Sequence, residues 1–272
     1  METLIIDKQD IRLLVQKIGL DTLMRDMILG LREVFVSVHS GEIETPARAG
    51  FAYQRPQLGL IEWMPGMRVG GPVCVKMVGY HPANPTSLNL PTILSTISLY
   101  DTRNGHLLGL ADATFLTALR TGAASAVASG WLAKADSQVL GVIGCGAQAV
   151  SQIHALTLEI HDFEAQAIAE GECQRLEKHE ISTDIASMSK NPEAYAKHRD
   201  QLTVFDSTGW AVEDLAAMEI LLSYARELGL GHHVDLECIS NDPMNPYDFS
   251  ASTQPLAAVA AVAAVASSGR SA

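Results

Sequence analysis

The hydrophobic pattern of the first 36 residues predicts two helices. Apolar residues between Lys8 and Val36 recur at the three- and four-residue spacing that places them on one helical face. Gly19 followed by Asp21 predicts a stop and a new N-cap between the two helices. The apolar positions that define the second helix are Met24, Met27, Ile28, Leu31 and Phe35.

The pattern changes to strands between residues 41 and 112. Residues 74–78 and 92–100 are apolar or β-branched, and residues 107–110 provide a return strand. Asn104-Gly105 is a strong hairpin signal. Because these connections are too short for crossover helices, the sheet is predicted to be antiparallel or mixed.

A helix rich in small residues is predicted from 113 to 133, and an apolar strand then runs into a glycine turn and another helix between 136 and 158. A last strand, T-V-F-D, is predicted to begin at Thr203. A polar turn and an amphipathic helix ending at Gly229 follow it. The sequence therefore predicts an α/β protein.

Composition restricts the class of partner. The chain has 272 residues, 47% of them hydrophobic, and a net charge of -12, which disfavours nucleic acid and anionic membranes. Small neutral or zwitterionic partners remain open. The four cysteines show no C-x-x-C spacing and the N-terminus has no signal-peptide pattern, so a cytoplasmic location is expected. Residues 251–272 form an Ala/Val-rich tail of low complexity.

The glycine turn is the main candidate for cofactor chemistry. Gly144 permits a tight turn, Gly146 lets a pyrophosphate approach the backbone, and Ala147 and Gln148 open the helix whose free N–H groups would face the phosphates. A dinucleotide is the predicted cofactor, and a purely structural turn is the alternative. An acid about 20 residues later should bind the ribose. Asp162 and Glu164 lie near that distance but follow no apolar strand.

Two cations stand in apolar surroundings. Arg120 interrupts a helix of small residues, so either a ligand anion or an internal Asp or Glu is expected to pair with it. Lys76, within a strand, faces either a cleft or solvent, and solvent is favoured on the strand pattern alone. Adjacent His232 and His233 point to opposite faces of an extended segment, so no metal site is predicted.

Taken together, several motifs resemble the ornithine cyclodeaminase and mu-crystallin family, closest to its lysine and ornithine cyclodeaminases. The motifs are I-E-W-M-P, V-K-M-V-G-Y, L-P-T-I-L, D-A-T-F-L-T-A-L-R-T-G-A-A-S-A, V-I-G-C-G-A-Q-A-V-S-Q-I-H-A-L and T-V-F-D-S-T-G-W-A-V-E-D. The resemblance implies a substrate-binding and dimerisation domain built from residues 1–134 and 201–250. It also implies an NAD-binding Rossmann-like domain at 135–200 and a homodimer formed through the sheet.

The resemblance also implies a reaction and a set of site residues. L-lysine or L-ornithine would be converted to L-pipecolate or L-proline with release of ammonia. Arg48, Lys76 and Arg120 match the positions that hold the substrate carboxylate, and Lys76 and Glu62 match catalytic positions, with Glu62 near the substrate amine. Those matching cofactor-contacting positions are Thr92, Thr121, Gly144, Gly146, Ala147, Gln148, Ser207 and Thr208.

One part of the family pattern is missing. An asparagine-alanine-valine-glycine stretch followed by a catalytic aspartate would fall between Leu158 and Glu164, and this chain has no counterpart to it. The Rossmann-like domain is therefore expected to be shortened, and turnover to be weak or absent. Two alternatives stay open: an NAD(P)H-dependent imine reductase or amino-acid dehydrogenase of the same family, and a non-catalytic mu-crystallin-like binding or dimerisation protein.

Overall fold

The computed structural model describes residues 1–144, 146–159 and 183–247, together with the backbone of 164–168. The predicted tail at 251–272 and Asp162 lie outside these residues. The chain divides into two compact units, of which one spans Glu2–Val234 and the other contains Met1 and the residues from Asp235 onward. Within the described residues, no helix combines the length and the apolar character needed to cross a membrane.

The larger unit is built on an eight-stranded mixed sheet. Its strands are β1 (Thr3–Ile6), β2 (Ile43–Glu44), β3 (Ala49–Tyr53), β4 (Gly59–Arg68), β5 (Val73–Tyr80), β6 (Ile93–Tyr100), β7 (Leu107–Asp112) and β10 (His232–Val234). The sheet order is β10-β1-β7-β6-β5-β4-β2, and β3 also pairs with β4. Only the pair formed by β1 and β7 is parallel, so the predicted mixed sheet is confirmed.

Helices cover one face of this sheet. They are α1 (Lys8–Ile18), α2 (Leu20–His39), α4 (Thr114–Leu132) and α7 (Ala211–Leu228), while the short α3 (Asn84–Ser87) lies in the connection between β5 and β6. Helices α2, α4 and α7 pack on one another, and α7 lies against β4, β5 and β6. The predicted apolar face of the second helix is confirmed, because Met24, Met27 and Leu31 are fully buried.

The boundary between the first two helices differs in detail from the prediction. Gly19, at φ +83°, ends α1 and directly precedes α2, and no side chain caps α2. Asp21 lies inside the first turn of α2. Its carboxylate accepts a hydrogen bond from His154 instead, at 3.0 Å.

The glycine-turn region forms a small separate sheet. Strand β8 (Val139–Ile143) pairs in parallel with β9 (Glu164–Ile168), and α5 (Ala147–Glu159) connects the glycine turn towards β9. The sequence did not predict β9, because Glu164–Ile168 lacks an apolar run. A short helix α6 (Ile185–Lys190) and a 3-10 helix (Pro192–His198) follow.

The predicted strand at Thr203 is wrong. Residues 201–210 have no regular secondary structure, although the helix that follows them ends at Gly229 as predicted. Val204 is 61% exposed and Leu202 is 95% exposed. A short strand is stable only when a neighbour takes up its backbone hydrogen bonds, and no described strand lies beside this segment.

Candidate functional site

The candidate site lies where β5, α4 and the start of α7 meet. Strand alternation places Lys76 on the covered face of the sheet, opposite Met64 on β4 and Ile97 on β6. The interpretation of Lys76 as solvent-facing is wrong, since the residue is 1% exposed. Its Nζ donates to Asp214 Oδ1 at 3.1 Å, and Asp214 is itself buried in the first turn of α7.

Arg120 reaches the same carboxylate from α4. Its Nε donates to Asp214 Oδ1 at 3.1 Å, and its Nη1 donates to Glu213 Oε2. All three side chains are at most 4% exposed. Of the two partners expected for Arg120, the structure shows the internal carboxylates. Two cations and two anions therefore form a neutral buried cluster, which is how a protein interior tolerates such charges.

Burial and neighbouring charges shift the titration of this cluster. Removal from water lowers the pKa of Lys76, and Asp214 opposes that shift. Burial raises the pKa of Glu213, against the attraction of Arg120. Burial disfavours the charge of Arg120, but Asp214 and Glu213 outweigh it and raise the pKa of the guanidinium. The Asp214 atom Oδ2 is buried and has no hydrogen-bond partner among the described residues.

Arg48 is the third predicted cation, and it lies at the rim of this cluster. Its Nη2 donates to Thr208 Oγ1 at 2.9 Å and to the carbonyl oxygens of Thr208 and Gly209 at 3.2 and 2.6 Å. Its Nη1 faces Glu62 Oε2 at 3.9 Å. The Arg48 side chain is 35% exposed and that of Glu62 is 21% exposed, so this edge is open to solvent.

Gly209 contacts both Arg48 and Arg120. Its carbonyl accepts from Arg48, and the guanidinium of Arg120 lies directly over its Cα, where a Cβ would come within 2.6 Å of Arg120 Nη2. The chain from Thr208 to Asp214 therefore contacts Arg48, Arg120 and Lys76. Glu213, Asp214 and Gly209 were not predicted from sequence. Two adjacent acids in the first turn of an apolar helix were the available signal for the buried cations' partners.

The predicted cofactor residues lie in four places. Gly144, at φ +89°, forms the turn after β8, and α5 begins at Ala147, so the predicted strand, turn and helix are confirmed. Among the described residues outside the turn itself, none comes within 4 Å of where a Cβ would stand at Gly144 or Gly146. This open backbone at a helix N-terminus fits a phosphate group. Ser207 and Thr208 lie beside Arg48 in the segment before α7.

Thr121 and Thr92 complete the set. Thr121 follows Arg120 on α4, and its carbonyl accepts from Gln152 of α5 at 3.4 Å, which links the glycine-turn helix to the arginine helix. Thr92 precedes β6, where its carbonyl accepts from the His81 N–H at 2.8 Å. No contact among the described residues joins Thr92 to the cationic cluster.

Asp7, Asp10 and His232 offer three possible metal-ligand atoms within 4.8 Å of one another. The two carboxylates already have structural partners. Asp7 Oδ1 accepts from the Gln9 and Asp10 N–H groups, while Asp10 accepts from the N–H groups of Asp7 and Gly231. Capping of α1 accounts for this cluster.

Comparison with protein-family models identifies the family of this chain. The model of the ornithine cyclodeaminase/mu-crystallin family matches residues 8–163 and 159–227. The chain belongs to this family. The two matched segments meet at residues 159–163, where the sequence predicts the missing stretch.

Individual relatives agree with this assignment. L-lysine cyclodeaminase of Streptomyces rapamycinicus is 31% identical over 341 aligned positions, which cover 91% of this chain and 99% of the relative. Because 341 exceeds the 272 residues of this chain, at least 69 of those positions have no counterpart here. Alanine dehydrogenase of Archaeoglobus fulgidus is 33% identical over 57% of this chain and 45% of the relative.

Solved structures share the fold. A lysine cyclodeaminase structure that addresses recognition of L-lysine, L-ornithine and L-2,4-diaminobutyric acid superimposes with a TM-score of 0.85. It is 32% identical and covers 91% of this chain and 99% of its own. An archaeal alanine dehydrogenase dimer with bound NAD has a TM-score of 0.69 at 22% identity, covering 87% and 100%. The predicted fold class, an α/β protein with a mixed sheet and a shortened Rossmann-like part, is confirmed.

Proposed function

We propose that this chain is a shortened lysine or ornithine cyclodeaminase that binds a diamino acid at the Arg48–Lys76–Arg120 cluster and turns it over weakly. The observation that carries the proposal is the convergence of these three cations, from three separate elements, on the chain between Thr208 and Asp214. A relative that aligns over 99% of its own length is a lysine cyclodeaminase. Its name supplies the substrate class.

The charges of the cluster suit an amino acid. Arg48, Lys76 and Arg120 balance Glu62, Glu213 and Asp214, so a zwitterion can bind without leaving a net buried charge. The substrate carboxylate binds on the cationic side, at the partly exposed Arg48. The substrate amine then faces Glu62, 3.9 Å from that guanidinium. Net charge -12 also favours the approach of a cationic diamino acid.

NAD is the proposed cofactor, and the glycine turn would hold its pyrophosphate. Gly144, Gly146 and the start of α5 at Ala147 offer the open backbone and free N–H groups that a phosphate needs. When bound, a nicotinamide supplies a hydride acceptor that later returns the hydride. The protein's own part is to fix the amino acid by its carboxylate, so that ring closure by the substrate's second amine is effectively intramolecular.

The missing positions support impaired turnover. The resemblance places the family's catalytic aspartate in the stretch absent after Leu158, and at least 69 positions of the lysine cyclodeaminase have no counterpart. Among the described carboxylates of the cluster, Glu62 is partly exposed but already has its own proposed place near the substrate amine. Glu213 and Asp214 are buried and paired with Arg120. Substrate binding is therefore expected to survive better than catalysis.

Calorimetry and product analysis test this function together. Wild-type protein is titrated with L-lysine and L-ornithine, and with NAD in a separate experiment. Each diamino acid is then incubated with protein and NAD, and pipecolate, proline and ammonia are measured. The proposal expects saturable binding of a diamino acid with slow product formation. Net NAD(P)H consumption with a cyclic imine or keto acid would indicate a reductase or dehydrogenase instead.

Arg48→Ala is the most informative variant, because Arg48 is partly exposed and removing it leaves no buried charge without a partner. It should weaken diamino acid binding by about tenfold or more, the loss expected for a charge-assisted contact. Arg103→Ala is the matched control, since the Arg103 side chain is 86% exposed on the hairpin between β6 and β7. Failure of the wild-type protein to bind either diamino acid would refute the proposed function.

The uncovered face of the sheet supports the proposed homodimer. Phe51, Ile61, Met77 and Leu94 expose between 39% and 69% of their surface on the face opposite Lys76. A cavity of about 350 Å³ also opens between Met77 and Thr96 on this face. Apolar patches of this kind mark interfaces. Met77→Lys should shift the protein from dimer to monomer in analytical ultracentrifugation. A wild-type protein that sediments as a monomer would contradict the homodimer.

A further inference from the structure

Gly209 occupies an unusual position between two arginines of the site. Its backbone has φ +78°, in the left-handed region that favours glycine. On one side its carbonyl oxygen accepts from Arg48 Nη2 at 2.6 Å. On the other side the Arg120 guanidinium fills the space that a side chain would need, with Nη2 at 2.6 Å and Nη1 at 2.7 Å from the position of a Cβ.

We infer that Gly209 is a positioning residue that sets the separation of the Arg48 and Arg120 guanidinium groups for carboxylate binding. This inference rests on the proposed function for the identity of the ligand. Two properties of glycine are used at once. The positive φ directs the Gly209 carbonyl towards Arg48, and the missing side chain lets the planar guanidinium of Arg120 lie against the backbone.

Arg120 has little freedom to move away from an added methyl group. Its Nε and Nη1 are held by Asp214 and Glu213, and its side chain is 4% exposed. A Cβ at residue 209 must therefore displace either the guanidinium or the backbone that carries the Arg48 contact. In both cases the distance between the two arginines changes. Binding of a carboxylate by two guanidinium groups depends closely on that distance.

Gly209→Ala tests the inference, with Gly41→Ala as the matched control. Gly41 has nearly the same backbone angle, φ +77°, but a Cβ there meets nothing within 4 Å. The strain of placing alanine in left-handed backbone is thus common to both variants. Any loss of L-lysine affinity or of stability in Gly209→Ala beyond that in Gly41→Ala is therefore due to the contact between residue 209 and Arg120. L-lysine is the probe ligand, and binding is measured by calorimetry on the full-length protein.

The expected result is that Gly209→Ala weakens L-lysine binding by about tenfold or more, whereas Gly41→Ala leaves it unchanged. The stability of each variant is also measured without ligand, by urea denaturation. Gly209→Ala should lower the urea midpoint more than Gly41→Ala does. That excess should shrink in an Arg120→Lys background, because lysine lacks the planar group that fills the space.

The outcomes separate the inference from the proposed function. Equal urea midpoints for Gly209→Ala and Gly41→Ala, or an excess that persists fully in Arg120→Lys, would overturn the inference whatever the ligand data show. Unchanged L-lysine affinity in Gly209→Ala would also overturn it. If wild-type protein binds no diamino acid, the proposed function fails, and the urea comparison alone decides whether Gly209 spaces the arginines.

Discussion

Two apolar strands of this protein differ sharply in how well the fold covers them. Strand β6 pairs with β5 and β7, and its Ile97 and Leu99 are 1% and 5% exposed. Strand β8 pairs among the described residues only with β9, and its Val139 and Ile143 are 65% and 59% exposed. Strands of parallel sheets are apolar because both faces are normally covered. Strand β8 keeps the sequence of such a strand without its full set of neighbours.

The glycine-turn region is nevertheless fixed to the larger sheet through α5. Gly122 of α4 lets the Ser151 backbone approach closely, and a Cβ at residue 122 would collide with the Ser151 carbonyl. Arg32 of α2 forms an ion pair with Glu159 at the end of α5. Packing of α5 on α4 and α2 therefore holds the glycine turn in place, although β8 pairs among the described residues only with β9.

The largest expected effect concerns the buried ion cluster of the covered region. Asp214→Ala removes the carboxylate shared by Lys76 and Arg120, and leaves both cations buried with fewer partners. A loss of about 3–5 kcal/mol in the free energy of unfolding is expected, as for other broken buried pairs. Urea denaturation measures it. A loss no larger than that of the exposed control Arg103→Ala would contradict the buried network.

A matched pair of isoleucines tests the comparison of β6 with β8 directly. Ile97→Ala should cost about 2–5 kcal/mol because it opens a cavity in the core. Ile143→Ala should change stability by less than about 0.5 kcal/mol, because that side chain is already 59% exposed. Both are measured by urea denaturation. Equal costs would show that β8 is covered in solution by something beyond the described residues.

Gly122→Ala should loosen the attachment of α5. The added Cβ has no room against the Ser151 backbone, so about 1–3 kcal/mol of overpacking strain is expected. Hydrogen exchange should become faster in α5 and remain unchanged in β6. Gly141→Ala on β8 is the control, since a Cβ there meets nothing within 4 Å. Unchanged exchange in α5 would show that this contact does not hold the helix.

The sequence predicted the covered region well, because its local patterns agree with its tertiary contacts. The hairpin at Asn104-Gly105 and the α7 stop at Gly229, which adopts φ +63°, follow from local turn chemistry. The burial of Lys76 could not be predicted locally, because it depends on Asp214, 138 residues later in the chain. The T-V-F-D segment failed as a strand for the same reason, since its neighbours determine whether it pairs.

The residues of the candidate site were likewise only partly predictable from the sequence. Arg48, Lys76 and Arg120 were predicted by resemblance, and the structure brings them to one segment. Whether they bind a substrate stays a prediction. Gly209 was not singled out, because its role appears only when Arg120 from α4 lies over it. Residues that act through a distant partner carry no signal in the sequence around them.

The smallest expected effect is a difference in the pH dependence of stability between two carboxylates whose pKa values are shifted in opposite directions, Glu213 and Asp101. Burial raises the pKa of Glu213 in the fold above its usual 4.5. The folded chain therefore holds this proton more tightly than the unfolded chain does. The stability that Glu213 contributes is present below pH 4.5 and is lost as the pH rises through the raised pKa.

The pKa of Asp101 is shifted in the opposite direction, so its effect on stability has the opposite pH dependence. Hydrogen bonds from Arg103 lower its pKa from 3.8 to about 2, so its contribution is present above pH 3.8 and is lost as the pH falls through about 2. Urea midpoints measured from below pH 3.8 to above pH 4.5 should therefore distinguish Glu213→Gln from Asp101→Asn. Relative to Glu213→Gln, the wild-type protein should lose stability as the pH rises above 4.5. Relative to Asp101→Asn, it should lose stability as the pH falls below 3.8. A flat difference between wild type and Glu213→Gln above pH 4.5 would mean that Arg120 fully compensates the burial of this carboxylate.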